Sequence, residues 1–147
     1  MSLPGARPPH RAPTRVLVVD DHALFRRGLR ITLAPEPDIE VVGECVDGPA
    51  AVELVLRLSP DIVLVDLATP FDGGIAACRA VTAVAPDVRV LLLVAHGREP
   101  DAAAVGAAGA WGVLVKDASV AEVASAIRTA AGSAPPPAPA PPVAALD

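Results

Sequence analysis

The sequence predicts a doubly wound α/β domain, a parallel sheet with helices on both faces. Two observations carry that prediction. Five short aliphatic runs recur along the chain, at Val16 to Val19, Ile39 to Val46, Ile62 to Val65, Val88 to Val94 and Val113 to Val115, and three of them (VLVV, IVLV, VLLLV) are continuous rather than alternating. Continuous runs suit strands covered on both faces. Between the runs lie stretches of helical length and period, so strand and helix alternate as parallel crossovers require.

Each element has its own justification. After the first run, Leu24, Phe25, Gly28, Leu29 and Leu33 form an apolar stripe at helical spacing, with Arg26, Arg27 and Arg30 on the outer, solvated face. Asp47 followed by Pro49 reads as the start of a second helix, marked by Val52, Val55 and Leu56 and ended by Pro60. Glu53 and Arg57 are spaced there as a favourable i,i+4 pair. Pro86 ends a third helix before the fourth strand. The weakest helical signal is Arg98 to Ala108, an alanine-glycine segment with Gly106 inside it. Ser119 and Glu122 have capping-box spacing, and Val120, Val123 and Ile127 then form the buried stripe of a last helix stopping at Gly132.

Composition bounds the rest. With 147 residues, 52% of them apolar, the chain can bury one core without metal or disulfide staples. Most of the 17 prolines crowd into the two ends. The expected organisation is a disordered arm over 1–14, one folded domain over 15–132 and a Pro/Ala-rich linker or tail over 133–147. A net charge of −5 and only three aromatics (Phe25, Phe71, Trp111) make a poor grip on a phosphate backbone, so direct nucleic-acid binding is not expected. No apolar run is long enough to span a bilayer and the Pro/Arg-rich start lacks a secretory core, which points to a cytoplasmic protein without membrane contact. Cys45 and Cys78 form no CxxC and fall in different elements, as free thiols do.

In open parallel sheets the ligand site lies at the carboxyl ends of the strands. The residues there are Asp20-Asp21-His22, Asp66-Leu67-Ala68, Val94-Ala95-His96 and Lys116-Asp117. No GxGxxG or GxxxxGK follows the first strand, which removes backbone cradling of a nucleotide phosphate. Acids stand where glycines would be. Three carboxylates converging on one rim repel one another unless a hard divalent cation joins them, and Mg²⁺ fits best. The one lysine of the chain, Lys116, lies at the same rim. Acids, Mg²⁺ and a lysine are what phosphoryl transfer needs, with one carboxylate as nucleophile.

The stretches VLVVDDHALFRRGL, VLVDLATPFDGG and GAWGVLVKDAS resemble the receiver domain of two-component response regulators, in the branch that carries a C-terminal helix-turn-helix. The resemblance covers about Arg15 to Gly132. It implies a flavodoxin-like fold of five strands in the order 2-1-3-4-5 with five helices, an order for which such a domain is itself a standard example. It also implies that Asp66 accepts phosphoryl from a histidine kinase or phosphotransfer protein. Asp21 would ligate Mg²⁺ directly, Asp20 through water or from outside the first shell, and Ala68 through its backbone carbonyl, with Lys116 contacting the phosphoryl group. Pro70 and Gly74 match the loop after the acceptor. A homodimer through the face from the fourth helix to the fifth is a further partner the resemblance allows, and the Pro-rich end looks like a linker of the kind that precedes an effector domain.

Two departures stand out. Val94 occupies the position where the family has Thr or Ser, whose hydroxyl bonds the phosphoryl group, and Val113 the position of its Tyr or Phe, whose ring then rotates inward, so the resemblance implies a switch that is weakened or rewired. No Ser or Thr lies between Val84 and Lys116 to replace the hydroxyl. The alternative is a pseudo-receiver that only binds or dimerises. A haloacid-dehalogenase-type hydrolase would need a DxD after the first strand, which Asp20-Asp21-His22 does not provide. His22 and His96 carry no expected ligand role, and Phe71 and Trp111 are expected to pack or to meet a partner.

Overall fold

In the computed structural model, which describes residues 12–70 and 73–132, strand and helix alternate throughout. The order is β1 (Thr14–Val19), α1 (Ala23–Leu33), β2 (Ile39–Cys45), α2 (Gly48–Leu58), β3 (Ile62–Asp66), α3 (Gly73–Val84), β4 (Arg89–Val94), α4 (Ala102–Ala108), β5 (Gly112–Val115) and α5 (Val120–Ala131). The strands form one parallel sheet in the order β2-β1-β3-β4-β5. That is the fold class and strand order expected from the sequence. Of the expected arm only residues 12–14 are described, and Thr14 is already in β1, opposite Ile39; the rest of the arm, the tail, His10 and Phe71 lie outside the described residues.

The continuous aliphatic runs feed two cores because successive side chains of a strand point to opposite faces. Val16, Val18, Ile62, Leu64, Leu91 and Leu93 pack on one face with Leu29 and Leu33 of α1 and Val123 and Ile127 of α5. Leu17, Val19, Val63, Val65, Val90 and Leu92 pack on the other with Ala51 and Val55 of α2 and Ala77, Cys78 and Val81 of α3. Trp111 packs partly buried against the first core. Cys45 and Cys78 are free, and burial pushes their thiols up to about 11 and about 12. Both are protonated and inert at neutral pH.

Local signals set most helix ends. Asp47 caps α2 by accepting from the Ala50 N–H at 2.9 Å, and Ser119 with Glu122 forms the expected capping box on α5. The fourth helix is shorter than its sequence suggested. Arg98 to Pro100 are loop, and α4 begins only after Asp101, whose carboxylate accepts from the Ala104 N–H at 2.7 Å. A capping acid just behind a proline outcompetes the weak propensity of the residues before it. Among the described residues Glu53 and Arg57 form no ion pair, which costs little at a solvated helix surface.

The arginines of α1 also depart from expectation. Arg26 Nε lies 2.9 Å and Arg30 Nε 2.7 Å from the two carboxylate oxygens of Glu44 on β2, so two of the three pin the helix to the edge strand. The Arg30 bond, then that of Arg26, holds the Glu44 carboxyl below its ordinary value of 4.5, against opposing desolvation. A depressed folded-state carboxyl contributes stability that is complete above the unfolded value and lost as pH falls through the folded one. Urea unfolding across the acid range should therefore show the wild type losing about 1 kcal/mol more below pH 4.5 than Glu44→Gln. Parallel acid limbs for the two proteins would refute this assignment.

Candidate functional site

Register brings the site together. Val19 stands opposite Val65 in the β1–β3 ladder, so Asp20, just past the end of β1, and Asp66, the last residue of β3, emerge side by side at the carboxyl edge. Both are buried, Asp20 fully and Asp66 to within 3%. The Asp20 N–H donates to the Cys45 carbonyl at 3.0 Å, and Asp20 Oδ1 accepts the N–H of His22 at 2.8 Å. Arg26 Nη1 donates to the Asp20 carbonyl at 2.6 Å. The acid is thus held by β2, α1 and its own turn.

Asp66 is positioned by the loop that follows it. Its Oδ1 accepts from the Ala68 N–H at 3.3 Å. The Thr69 N–H donates to the Asp66 carbonyl at 3.0 Å, and the buried Thr69 hydroxyl donates to the same oxygen. Gly74, at the start of α3, donates to the Leu67 carbonyl at 2.9 Å and leans directly on this backbone.

Lys116 arrives from β5, its N–H bonded to the Val94 carbonyl at 2.8 Å. Its ammonium lies 2.7 Å from Asp20 Oδ2 and 3.4 Å from Asp66 Oδ1, and 4.5 Å from the centre of the Phe25 ring. The contact with Asp20 Oδ2 is an ion pair without hydrogen-bond alignment, and Asp66 Oδ2 is buried with no hydrogen-bond partner among the described residues. One ligand atom each from Asp20, Asp21, His22 and Asp66 falls within 4.8 Å of the others. Hard oxygens gathered this tightly, one of them buried and unpartnered, fit a divalent cation such as Mg²⁺.

All four sequence-predicted charged residues therefore meet in one place: Asp20, Asp21, Asp66 and Lys116. A cleft of about 520 Å³ opens beside them, lined by Ala68 together with Asp66, Ala95, Arg98, Lys116 and His22. Val94 is buried at the end of β4 and Val113 half-buried against the core under α2 and α3, and neither offers a donor or a ring. His96 is exposed and outside the cluster. His22 is not: its Nδ1 lies 3.1 Å from Asp20 Oδ1 and 3.3 Å from Asp21 Oδ1, which the sequence reading did not foresee. Phe25, Arg26 and Thr69 are likewise part of the site's support without having been singled out for it. Phe25 was legible only as core stripe, and Arg26 and Thr69 reach backbone carbonyls, which leave no mark in a sequence.

The fold and its acidic rim at the β1–β3 crossover define a receiver-type α/β domain. The family model described as the response regulator receiver domain matches residues 16–128, and the chain belongs to that family. It is 39% identical over 121 residues to the transcriptional regulatory protein LiaR of Bacillus subtilis, covering 82% of this chain and 57% of that protein. It is 42% identical over 114 residues to the response regulator UvrY of Escherichia coli strain K12, covering 78% of this chain and 52% of the relative. The chain thus spans about half the length of these curated relatives. Among solved structures it is similar to a LuxR-family two-component response regulator from Aurantimonas (TM-score 0.76, 34% identity, 84% of this chain and 89% of that one). It is also similar to the response regulator domain of CheB from Thermotoga maritima (TM-score 0.75, 32% identity, 85% of this chain and all of the other). Among the described residues no helix is long and apolar enough to cross a membrane.

Proposed function

We propose that this domain accepts a phosphoryl group on Asp66 from a histidine kinase or phosphotransfer protein in a cytoplasmic phosphorelay, with weakened or rewired switching. The observation that carries the reading is the buried Asp66 carboxylate, one oxygen unpartnered and the other within reach of Lys116, opening on a cleft at the strand ends. Asp21 and Asp66 would hold Mg²⁺ with the Ala68 carbonyl, and Asp20 would support it through water. When bound, Mg²⁺ supplies positive charge that offsets the negative charge of the transferring group.

An Asp66 oxygen forms the new O–P bond as the donor's P–N bond breaks, and the electron pair of that bond stays on the donor imidazole nitrogen. Lys116 pairs with a phosphoryl oxygen. To do so its ammonium leaves Asp20 by a short swing, since both acids already lie within its reach. The protein acts on itself and turns over no separate substrate.

Val94 and Val113 motivate the rewired switch. A charge-assisted hydrogen bond contributes roughly 1.5–3 kcal/mol, about the size of a whole allosteric coupling of roughly 1–3 kcal/mol. Losing the bond from position 94 can therefore uncouple phosphorylation from response. The same two valines favour a second reading, a pseudo-receiver that binds a partner or a second copy with its chemistry silent. Direct nucleic-acid binding is not part of either reading.

The test is incubation with Mg²⁺ and acetyl phosphate, followed by intact mass. The wild type gains one phosphoryl mass that hydroxylamine removes, and Asp66→Asn gains none. An unchanged wild-type mass, with amide spectra around Asp66 also unchanged by beryllofluoride, would select the pseudo-receiver.

A further inference from the structure

We propose that Arg98 is a second phosphoryl-binding cation of this chain, making from the β4–α4 loop the contact that a hydroxyl at position 94 would otherwise make. The proposal rests on Asp66 being the acceptor. It starts from a shortage of donors. Val94 has none, and no Ser or Thr occurs between Val84 and Lys116. The nearby Thr69 hydroxyl is engaged by the Asp66 carbonyl. Lys116 is a single point charge shared between two carboxylates and a ring. A phosphoryl group brings three strong acceptor oxygens and close to two negative charges.

Arg98 meets that need in position and chemistry. It lines the cleft that contains Asp66, Ala68 and Lys116. It is exposed, and among the described residues its guanidinium has neither an ion-pair partner nor a hydrogen bond. The acids closest along the chain do not neutralise it. Asp101 is turned to its own cap on Ala104, and Glu99 is exposed without a bond to Arg98.

The loop geometry holds Arg98 near the rim. Its N–H donates to the Ala95 carbonyl at 2.9 Å, closing a turn in which Gly97 takes φ of 81°, a left-handed conformation natural to glycine. Nothing lies within 4 Å of where a Gly97 side chain would begin, so the turn has open space around it. A guanidinium offers five N–H donors in a planar fork that matches two phosphoryl oxygens at once. Arg98 is also tied by only three residues to Asp101, the cap of α4. A contact from Arg98 to the phosphoryl group would draw on the N-terminus of α4, where a switching residue on β5 would have acted through a ring that Val113 lacks.

The experiment is a titration of the full chain with beryllofluoride, a phosphoryl mimic, in saturating Mg²⁺, followed by calorimetry and by amide shifts of Ala68 and of Ala102 to Ala104. Arg98→Ala should raise the half-saturating concentration by about tenfold or more and Arg98→Lys by less, as expected when a bidentate charged bond is lost or reduced to one point charge. Val94→Thr in the Arg98→Ala background should recover most of the affinity. Arg57→Ala, which removes an exposed cation from α2, controls for the overall field and should bind as wild type. Equal binding by wild type and Arg98→Ala, or an equal loss in Arg57→Ala, would overturn the role of Arg98 while leaving Asp66 as acceptor. A wild type that takes up no beryllofluoride, with Mg²⁺ bound, would instead remove the acceptor reading and this proposal with it.

Discussion

Gly74→Ala should destabilise the domain by about 3 kcal/mol, the upper range for forcing extra volume into a packed site. A Cβ at this position would sit 2.5 Å from the Asp66 carbonyl oxygen and 2.7 Å from Leu67 Cα. Both are backbone atoms of the segment that carries Asp66, so no side-chain rotation relieves the clash. Relief requires α3 to move away from β3 or the Asp66–Leu67 backbone to shift, and either disturbs the bond from Gly74 to the Leu67 carbonyl. Beryllofluoride binding should fall with stability for that reason. Gly28→Ala on α1 is the matching control, since nothing lies within 4 Å of its added carbon. There the change should stabilise the protein by about 0.5–1 kcal/mol through helix propensity alone. Urea midpoints of the two variants moving in the same direction would show that close approach at Gly74 is not the controlling effect.

The second large effect is expected at Lys116. Removing one partner of a buried ion pair leaves the other charged and unsolvated, at a cost of about 3–5 kcal/mol. Asp20 is fully buried and Lys116 about one-fifth exposed, which sets Lys116→Met at the lower end, about 3 kcal/mol without divalent cations. The loss should be partly reversible in two ways. Adding Mg²⁺ stabilises whichever form binds it, by about 2.7 kcal/mol at a hundred times its dissociation constant. Adding Asp20→Asn removes the charge that Lys116 neutralised, so the double variant should be more stable than Lys116→Met alone. Lys116→Met unfolding at the wild-type urea concentration in chelator would sink this account of the acid pocket.

The carboxylates that favour a divalent cation repel one another in its absence, and Lys116 supplies the compensating charge within the described structure. Among the described residues Asp66 Oδ2 has no hydrogen-bond partner.

Much of this was legible in the sequence. VLVV, IVLV and VLLLV suit strands buried on both faces, and in a doubly wound sheet the residues just after them converge. That pattern places Asp20, Asp21, Asp66 and Lys116 at one rim from the sequence alone. Other features were not legible, each for a physical reason. The start of α4 turned on a competition between weak helix formers and the cap at Asp101 behind Pro100. The arginines of α1 were read as a solvated face because Glu44, their partner, is on another element, 18 residues from Arg26. His22 stands where the resemblance implies a polar residue without a site role, and only the fold turns its Nδ1 inward to both aspartates.

The sequence by itself determined the alternation of elements, the two-faced burial of the sheet, most caps and the absence of a hydroxyl at 94 and of a ring at 113. These depend on side-chain chemistry and on neighbours along the chain, which a linear pattern records. The tertiary structure alone decided that Phe25 lies against the lysine, that Gly74 touches the Asp66 backbone, that Thr69 is already engaged and that Arg98 lines the cleft. Those are contacts between loops and elements placed by twist, crossover and register, and each depends on where a chain segment comes to rest after the core has packed.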